Sequence, residues 1–94
     1  MAWRIEFEKQ AEKELARLDP AVARRILDFL EERVAGRDDP RSLGSALQGA
    51  RLGNLWRYRV GCYRIICDLI CDLRDDACVV LVVRVAKREI AYRN

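Results

Sequence analysis

The stretch 63–85 constrains the fold more than any other part of the sequence, because it contains long apolar runs without a polar side. Residues 65–67 and 79–83 are uninterrupted apolar segments, and the polar residues 74–76 between them are typical of a turn. A strand that is apolar on both faces belongs in the centre of a sheet, where other structure covers each face. The stretch therefore predicts a central antiparallel hairpin that needs neighbouring strands and a covering layer.

The chain before this hairpin changes its hydrophobic period. Residues 3–8 alternate apolar and charged side chains, which predicts a strand buried on one face. Over residues 9–18 the apolar side chains recur at helical spacing instead. Asp19 and Pro20 then form a helix-start signal, and Gly36 is a plausible end for the second helix. These two helices are predicted to form a hairpin that packs on the sheet.

A long connection and one more strand complete the predicted fold. Residues 37–53 show no sustained periodicity, so we expect a loop with one helical turn near Ala46. Residues 55–60 alternate again and lead through the tight turn Gly61-Cys62 into the central hairpin. The fold class is therefore α+β, with an N-terminal strand, a two-helix hairpin and a three-stranded antiparallel meander. One sheet carries the helices on one face, in a single domain spanning residues 1–94.

Histidine is absent, which removes the commonest general base and the commonest metal ligand. Any catalysis must use Arg, Lys, Tyr or carboxylates, and we expect neither a metal nor a cofactor. The four cysteines, Cys62, Cys67, Cys71 and Cys78, lack the spacing of a zinc site. We therefore expect them to be small buried thiols in a reducing compartment. Two of them begin a tandem repeat of Cys-Asp-Leu.

Positive charge is concentrated in the second half of the chain. Residues 1–50 carry nine basic and ten acidic side chains, whereas residues 51–94 carry nine basic and five acidic ones. Fifteen of the eighteen basic residues are arginine, whose planar guanidinium favours bidentate contacts with phosphate. This indicates a polyanionic partner, although a general arginine bias would give the same composition. The sequence predicts no membrane span and no signal peptide, so we expect a cytoplasmic protein.

Three motifs give the chain a specific resemblance. They are Leu47-Gln48-Gly49, the run from Trp56 to Arg64, and Val85-Ala86-Lys87-Arg88 followed by Tyr92. Together with the order of predicted elements, they resemble the RelE/ParE superfamily of bacterial toxins from type II toxin and antitoxin pairs. The RelE branch of that superfamily implies a metal-independent endoribonuclease that cleaves mRNA in the ribosomal A site and so inhibits translation. In that reaction the ribose 2′-OH attacks the adjacent phosphate.

The resemblance also implies three catalytic residues. Arg64 would contact the phosphate and stabilise its transition state, and Arg88 would protonate or stabilise the leaving group. Tyr92 would act as a base or as a stacking platform for a nucleotide. A base role requires neighbouring cations to favour the phenolate, because the reference pKa of a phenol is about 10.

Three further cations, Arg57, Arg59 and Lys87, would bind the RNA. Lys87 stands where many relatives have a histidine. The residues support part of this independently, because Arg57 and Arg59 share one face of their strand and Arg64 begins the next strand. We expect all three arginines to lie on the surface. The alternatives to a binding site are that Arg57 and Arg59 form the solvated side of an edge strand and that Arg64 forms an ordinary surface ion pair with Asp68.

Two other functions remain open at this point. One is the activity of the ParE branch, which poisons DNA gyrase and is not a nuclease, and the other is an inactive module that only binds an antitoxin. In each case the resemblance implies a cognate antitoxin, RelB-like or similar, and a toxin–antitoxin heterotetramer is one expected assembly. We expect the antitoxin to cover an apolar second face of the central strands, formed by Ile66, Ile70, Val80 and Val82.

Overall fold

The structure, a computed structural model, describes residues 3–36, 44–46, 55–72 and 77–87. These residues form five strands and two α-helices, the second of which continues into a π-helical segment. The strands are β1 (Trp3–Phe7), β2 (Ser45–Ala46), β3 (Leu55–Val60), β4 (Tyr63–Asp72) and β5 (Ala77–Lys87), and the helices are α1 (Lys9–Ala16), α2 (Pro20–Phe29) and the π-helical segment Leu30–Val34.

All five strands belong to one sheet with the order β1-β5-β4-β3-β2. The pairs β5–β4, β4–β3 and β3–β2 are antiparallel, whereas β1 runs parallel to β5. The predicted fold class is confirmed, and the two strands that are apolar on both faces are central. None of the described helices has the length and apolar character needed to cross a membrane.

The helical turn predicted near Ala46 is wrong. Ser45 and Ala46 are extended, and they pair with Arg57 and Trp56 at the edge of the sheet. The neighbouring Gly44 permits this pairing, because a Cβ atom there would lie 2.8 Å from the ring of Tyr58. A two-residue strand is too short to produce a periodic pattern in the sequence, so alternation could not reveal it.

The helix-start signal works as predicted. The carboxylate of Asp19 accepts a hydrogen bond from the Ala21 amide at 2.9 Å, and Pro20 occupies the first turn, where its missing amide hydrogen costs nothing. After Phe29 the helix widens, and the Ala35 amide donates to the Leu30 carbonyl five residues back.

The core lies between the helices and one face of the sheet, called here the helix face. The buried residues of the helices are Ala11, Ile26, Leu30 and Val34. Every second residue of the strands points toward these helix residues, apart from the change of phase at the bulge in β5. The strand residues of the core are Trp3, Tyr58, Ile65, Cys67, Leu69, Cys78, Val80, Val82 and Val85. Tyr58 is one of the largest fully buried side chains, and its ring packs edge-on against Phe29 at a centroid distance of 6.2 Å.

A β-bulge interrupts the ladder between β4 and β5. Ile66 pairs with Arg84, but the next residue, Cys67, pairs with Val82, so Val83 is an extra residue in β5. Because one strand gains a single residue, every later residue of β5 lies on the opposite face from the one that unbroken alternation would give. Val85 therefore enters the core.

A carboxylate from α1 covers the edge of β5 beyond the end of β1. The parallel ladder ends where the Glu8 amide donates to the Val82 carbonyl at 2.9 Å. Three residues later, the Val85 amide donates to Glu14 Oε1 at 2.8 Å. The second oxygen of Glu14 pairs with the Arg84 guanidinium at 3.0 Å, and both side chains are partly buried. Glu14 thus satisfies a strand-edge donor that would otherwise lack a partner.

The expectation of four buried thiols is only partly correct. Cys67 is buried and free, and Cys62 is free but exposed in the turn after β3. Cys71 and Cys78 are directly opposite in the β4–β5 ladder and form a disulfide. Their pairing depends on the register of two strands, which the spacing of cysteines in the sequence does not specify.

We expect Glu14→Gln to lower the free energy of unfolding by about 1–3 kcal/mol, because the uncharged amide has one acceptor oxygen, whereas the carboxylate uses one oxygen for Val85 and the other for Arg84. Glu12→Gln is the matched control, since Glu12 is exposed on the same helix, and it should shift stability by no more than about 0.5 kcal/mol. Urea denaturation of both variants measures the difference. Equal unfolding midpoints would show that the Glu14 contacts contribute no net stability.

Candidate functional site

The face of the sheet opposite the helices, called here the second face, contains three of the six predicted site residues. Successive strand residues point to opposite faces, and directly paired residues share a face. Since Tyr58 and Ile65 lie in the core, Arg57, Arg59 and Arg64 lie on the second face. The register therefore places three of the predicted residues together.

The closest pairing in this group is between Arg59 of β3 and Arg64 of β4, which are directly opposite. Arg57 lies two residues from Arg59 on the same face and pairs with Ile66. These three residues are called the arginine cluster below. Like charges at directly opposed positions repel each other, so the pairing of Arg59 with Arg64 favours a bound anion between or above the two guanidinium groups.

The three arginines differ in burial. Arg59 is exposed and Arg57 is half-buried, but Arg64 is only 3% exposed. The expectation that Arg64 is a surface residue is therefore wrong. A buried guanidinium requires compensating interactions, and Arg64 does have an interaction partner. The alternative ion pair with Asp68 is disfavoured by distance, because four strand residues span about 13 Å.

The bulge determines which end residue of β5 lies beside the cluster. Ala86 pairs with Arg64 and is buried, whereas Lys87 pairs with Tyr63 and is exposed. Lys87 therefore lies at the same end of the sheet as the arginine cluster but on the helix face. The small side chain of Ala86 leaves room for Arg64, and the structure separates Lys87 from the arginine cluster.

Some of the predicted residues lie outside the described part of the chain. These are Arg88, Tyr92 and the motif Leu47-Gln48-Gly49. Their roles stay predictions that rest on the resemblance alone.

The predicted apolar surface is largely incorrect. Val80 and Val82 face the core, because the parity of β5 places them beside Ile5 and Phe7 of β1. Ile66 lies on the second face but is buried. Of the four predicted residues only Ile70, 46% exposed, is available at the surface.

Asp68, expected from the sequence only as an alternative partner of Arg64, has a buried carboxylate on the second face that sequence reasoning missed. Its Oδ1 atom is buried and accepts no hydrogen bond from the described residues. It pairs with Leu55 on one side and Leu81 on the other, both partly buried. A charged residue between two apolar neighbours in β4 was the available signal. Within the described ranges, no three Cys, Asp or Glu side chains are grouped to hold a metal ion.

The fold is RelE-like, with one five-stranded sheet and the helices on one of its faces. Residues 5–92 match the family described as the ParE toxin of the type II toxin-antitoxin system, parDE. The chain therefore belongs to this family, and it is a toxin of the RelE/ParE superfamily. A search of curated proteins finds no match.

Solved structures agree with this fold. The RelBE2 toxin–antitoxin complex of Mycobacterium tuberculosis is 23% identical with a TM-score of 0.72, over 94% of this chain and 93% of that chain. The free E. coli RelE toxin, in a variant with two arginines replaced by alanine, is 25% identical with a TM-score of 0.71, over 97% and 88%. The RelB–RelE complex of Methanococcus jannaschii is 23% identical with a TM-score of 0.64, over 93% and 94%.

Because the residues of the arginine cluster differ in burial, replacing each of them by alanine should lower the free energy of unfolding by different amounts. We expect Arg64→Ala to destabilise the protein by about 1–3 kcal/mol, because it leaves a void in a buried position and removes the interaction that Arg64 makes there. Arg59→Ala should stay within about 0.5 kcal/mol of the parent. Urea denaturation, with circular dichroism as the readout, compares them. If Arg64→Ala unfolds at the same urea concentration as Arg59→Ala, the burial of Arg64 carries no energetic consequence.

Proposed function

We propose that the chain is a ribosome-dependent mRNA endoribonuclease that inhibits translation in the cytoplasm. The observation that carries this proposal is the direct opposition of Arg59 and Arg64 on the second face, with Arg57 two residues away. Three guanidinium groups on adjacent strands suit a backbone phosphate better than they suit any neutral ligand.

The arrangement fits attack by a 2′-OH on its neighbouring phosphate. The phosphorus centre gains negative charge in the transition state, so fixed cations that stabilise this charge lower the barrier. Arg64 is suited to that task because burial restricts its side chain before RNA arrives. Arg57 and Arg59, which are more accessible, are suited to hold the flanking backbone.

Proton transfer is assigned by the resemblance. Arg88 is proposed to assist the leaving 5′ oxygen, and Tyr92 to act as base or stacking platform. Guanidinium remains protonated near pH 7 and an unperturbed phenol remains neutral, so this chemistry is weak in the free protein. We therefore propose that the ribosome orders the mRNA for in-line attack. Lys87, on the helix face, is expected to contribute least to RNA binding.

Poisoning of DNA gyrase is the second candidate function. It is favoured by the family match, since the family is described by its ParE toxins. It does not require a nuclease site, so the arginine cluster would then serve to bind a protein or DNA surface. An inactive module that only binds antitoxin is the third reading.

A cognate antitoxin is the proposed protein partner, RelB-like or similar, within a toxin–antitoxin heterotetramer. Two of the similar solved structures are complexes with RelB antitoxins. On this chain, Ile70 is exposed on the second face of β4. It would fit a partner segment that presents an apolar side chain.

The purified protein should cleave mRNA on programmed ribosomes, leave naked RNA almost intact, and produce 2′,3′-cyclic phosphate or 3′-phosphate ends. Cleavage should be unchanged when EDTA is added, provided that enough free magnesium remains to keep the ribosomes intact. Primer extension maps the cuts, and a gyrase supercoiling assay runs in parallel. Inhibition of supercoiling with intact mRNA would establish the gyrase function instead, and no effect in either assay would favour the inactive module.

Arg59→Ala should reduce ribosomal mRNA cleavage by a factor on the order of 10–100, because one fixed phosphate contact is lost. Two controls remove exposed cations elsewhere. The first control is Arg4→Ala, since Arg4 lies on the second face but in β1, where it forms an ion pair with Glu6 at 3.0 Å. The second control is Lys87→Ala, since Lys87 lies at the same end of the sheet as the arginine cluster but on the helix face. Both controls should stay within about threefold of the parent. An equal loss in all three variants would indicate a diffuse charge effect and no defined cluster.

Tyr92→Phe separates the two roles proposed for Tyr92. Removing only the hydroxyl should cost a factor on the order of 10² or more if the phenol is the base, and little if the ring stacks. Single-turnover cleavage on programmed ribosomes is the measurement. Undiminished cleavage by Tyr92→Ala would exclude Tyr92 from the mechanism.

A further inference from the structure

The β4–β5 hairpin contains a disulfide far from the arginine cluster. Cys71 and Cys78 are direct partners in the ladder, with their Cα atoms 4.0 Å apart and a sequence separation of seven positions. Arg64 lies seven residues before Cys71 on β4, which corresponds to about 23 Å along an extended strand. The disulfide therefore belongs to neither the arginine cluster nor its proposed chemistry.

The two sulfur-bearing residues differ in access. Cys71 is exposed, whereas Cys78 is 2% exposed and sits in the core beside its β1 partner Trp3. Thiol–disulfide exchange requires a thiolate to approach one sulfur in line with the bond that breaks. A reagent from solvent can make this approach at Cys71 but not at Cys78.

The remaining thiols do not provide an internal reductant. Cys67 lies on the same strand face as Cys71, but burial raises the pKa of its thiol, so it stays protonated and is a poor nucleophile. Cys62 is exposed, but it lies in the turn before β4, at the end of that strand opposite to Cys71. Exchange at the disulfide therefore depends on a thiol from outside the chain.

We propose that Cys71 is a site of reversible thiol–disulfide exchange with small-molecule thiols of the glutathione class. The incoming thiolate bonds to the sulfur of Cys71, the bond between the two cysteine sulfurs breaks, and the sulfur of Cys78 leaves with the electron pair and takes a proton from water. Attack by Cys78 on the mixed disulfide reverses the step. Attack by a second small thiol instead yields two free cysteines and one small-molecule disulfide, so two thiols supply the two electrons.

This exchange has a consequence for stability that does not rest on the proposed function. The disulfide closes the loop of residues 71–78 and so limits the conformations of the unfolded chain. Removing a constraint on a loop of this size should lower the melting temperature of a domain this small by about 10 °C.

The test uses the full chain carrying Cys62→Ser, which removes the exposed free thiol. The oxidised protein is treated with limiting reduced glutathione, quenched with acid and mapped by peptide mass spectrometry. We expect the adduct on Cys71 in at least tenfold excess over Cys78. An equal or inverted distribution would overturn the proposal, as would three titratable thiols in the untreated protein, because the disulfide would then be absent.

A second measurement follows the melting temperature with and without dithiothreitol. The Cys62→Ser protein should lose about 10 °C on reduction. The double variant Cys62→Ser, Cys71→Ser should melt at the reduced temperature in both conditions. A melting temperature that dithiothreitol leaves unchanged in Cys62→Ser would show that the exchange has no structural effect and would contradict that part of the proposal.

Discussion

The antiparallel ladder between β4 and β5 is the constraint on which the other elements depend. Both strands are apolar on their two faces and need cover on each, so they occupy the middle of the sheet. The outer strands β1 and β3 attach to them, and the helices pack on one side. Because the ladder fixes which residues share a face, it also determines that Arg64 faces Arg59 on one side and Ala86 on the other.

Glu14 links this ladder to the helical layer. It accepts from the backbone of β5 where β1 no longer covers the edge, and it pairs with Arg84 next to the bulge. An uncovered strand edge is a template for pairing with another chain, so this carboxylate protects the monomer from edge-to-edge association. It also holds the final residues of β5, and hence the neighbour of Arg64, in a defined position.

The sequence was sufficient for the parts of the fold that have a clear period. The two outer strands β1 and β3 could be predicted from the alternation in residues 3–8 and 55–60. The start of the second helix followed from Asp19, and the central strands followed from the hairpin that is apolar on both faces. The face shared by Arg57 and Arg59 followed from the same rule. Three features could not be predicted from the sequence: the bulge at Val83, the two-residue strand β2 and the pairing of Cys71 with Cys78. Each of them depends on the register between strands, which the periodicity within one strand does not encode.

The long hairpin has one end that carries the arginine cluster and another that extends beyond the last partner of β3, since Leu55 pairs with Asp68. The second copy of the Cys-Asp-Leu repeat begins in this distal region, at Cys71, whereas the first begins at Cys67 within the part of β4 that pairs with β3. Adding the same even number of residues to both strands lengthens the hairpin without turning any side chain to the other face. The distal arm can therefore grow or shrink by duplication, changing the reach of the molecule and the footprint it offers to other proteins, while the opposed arginines keep their geometry.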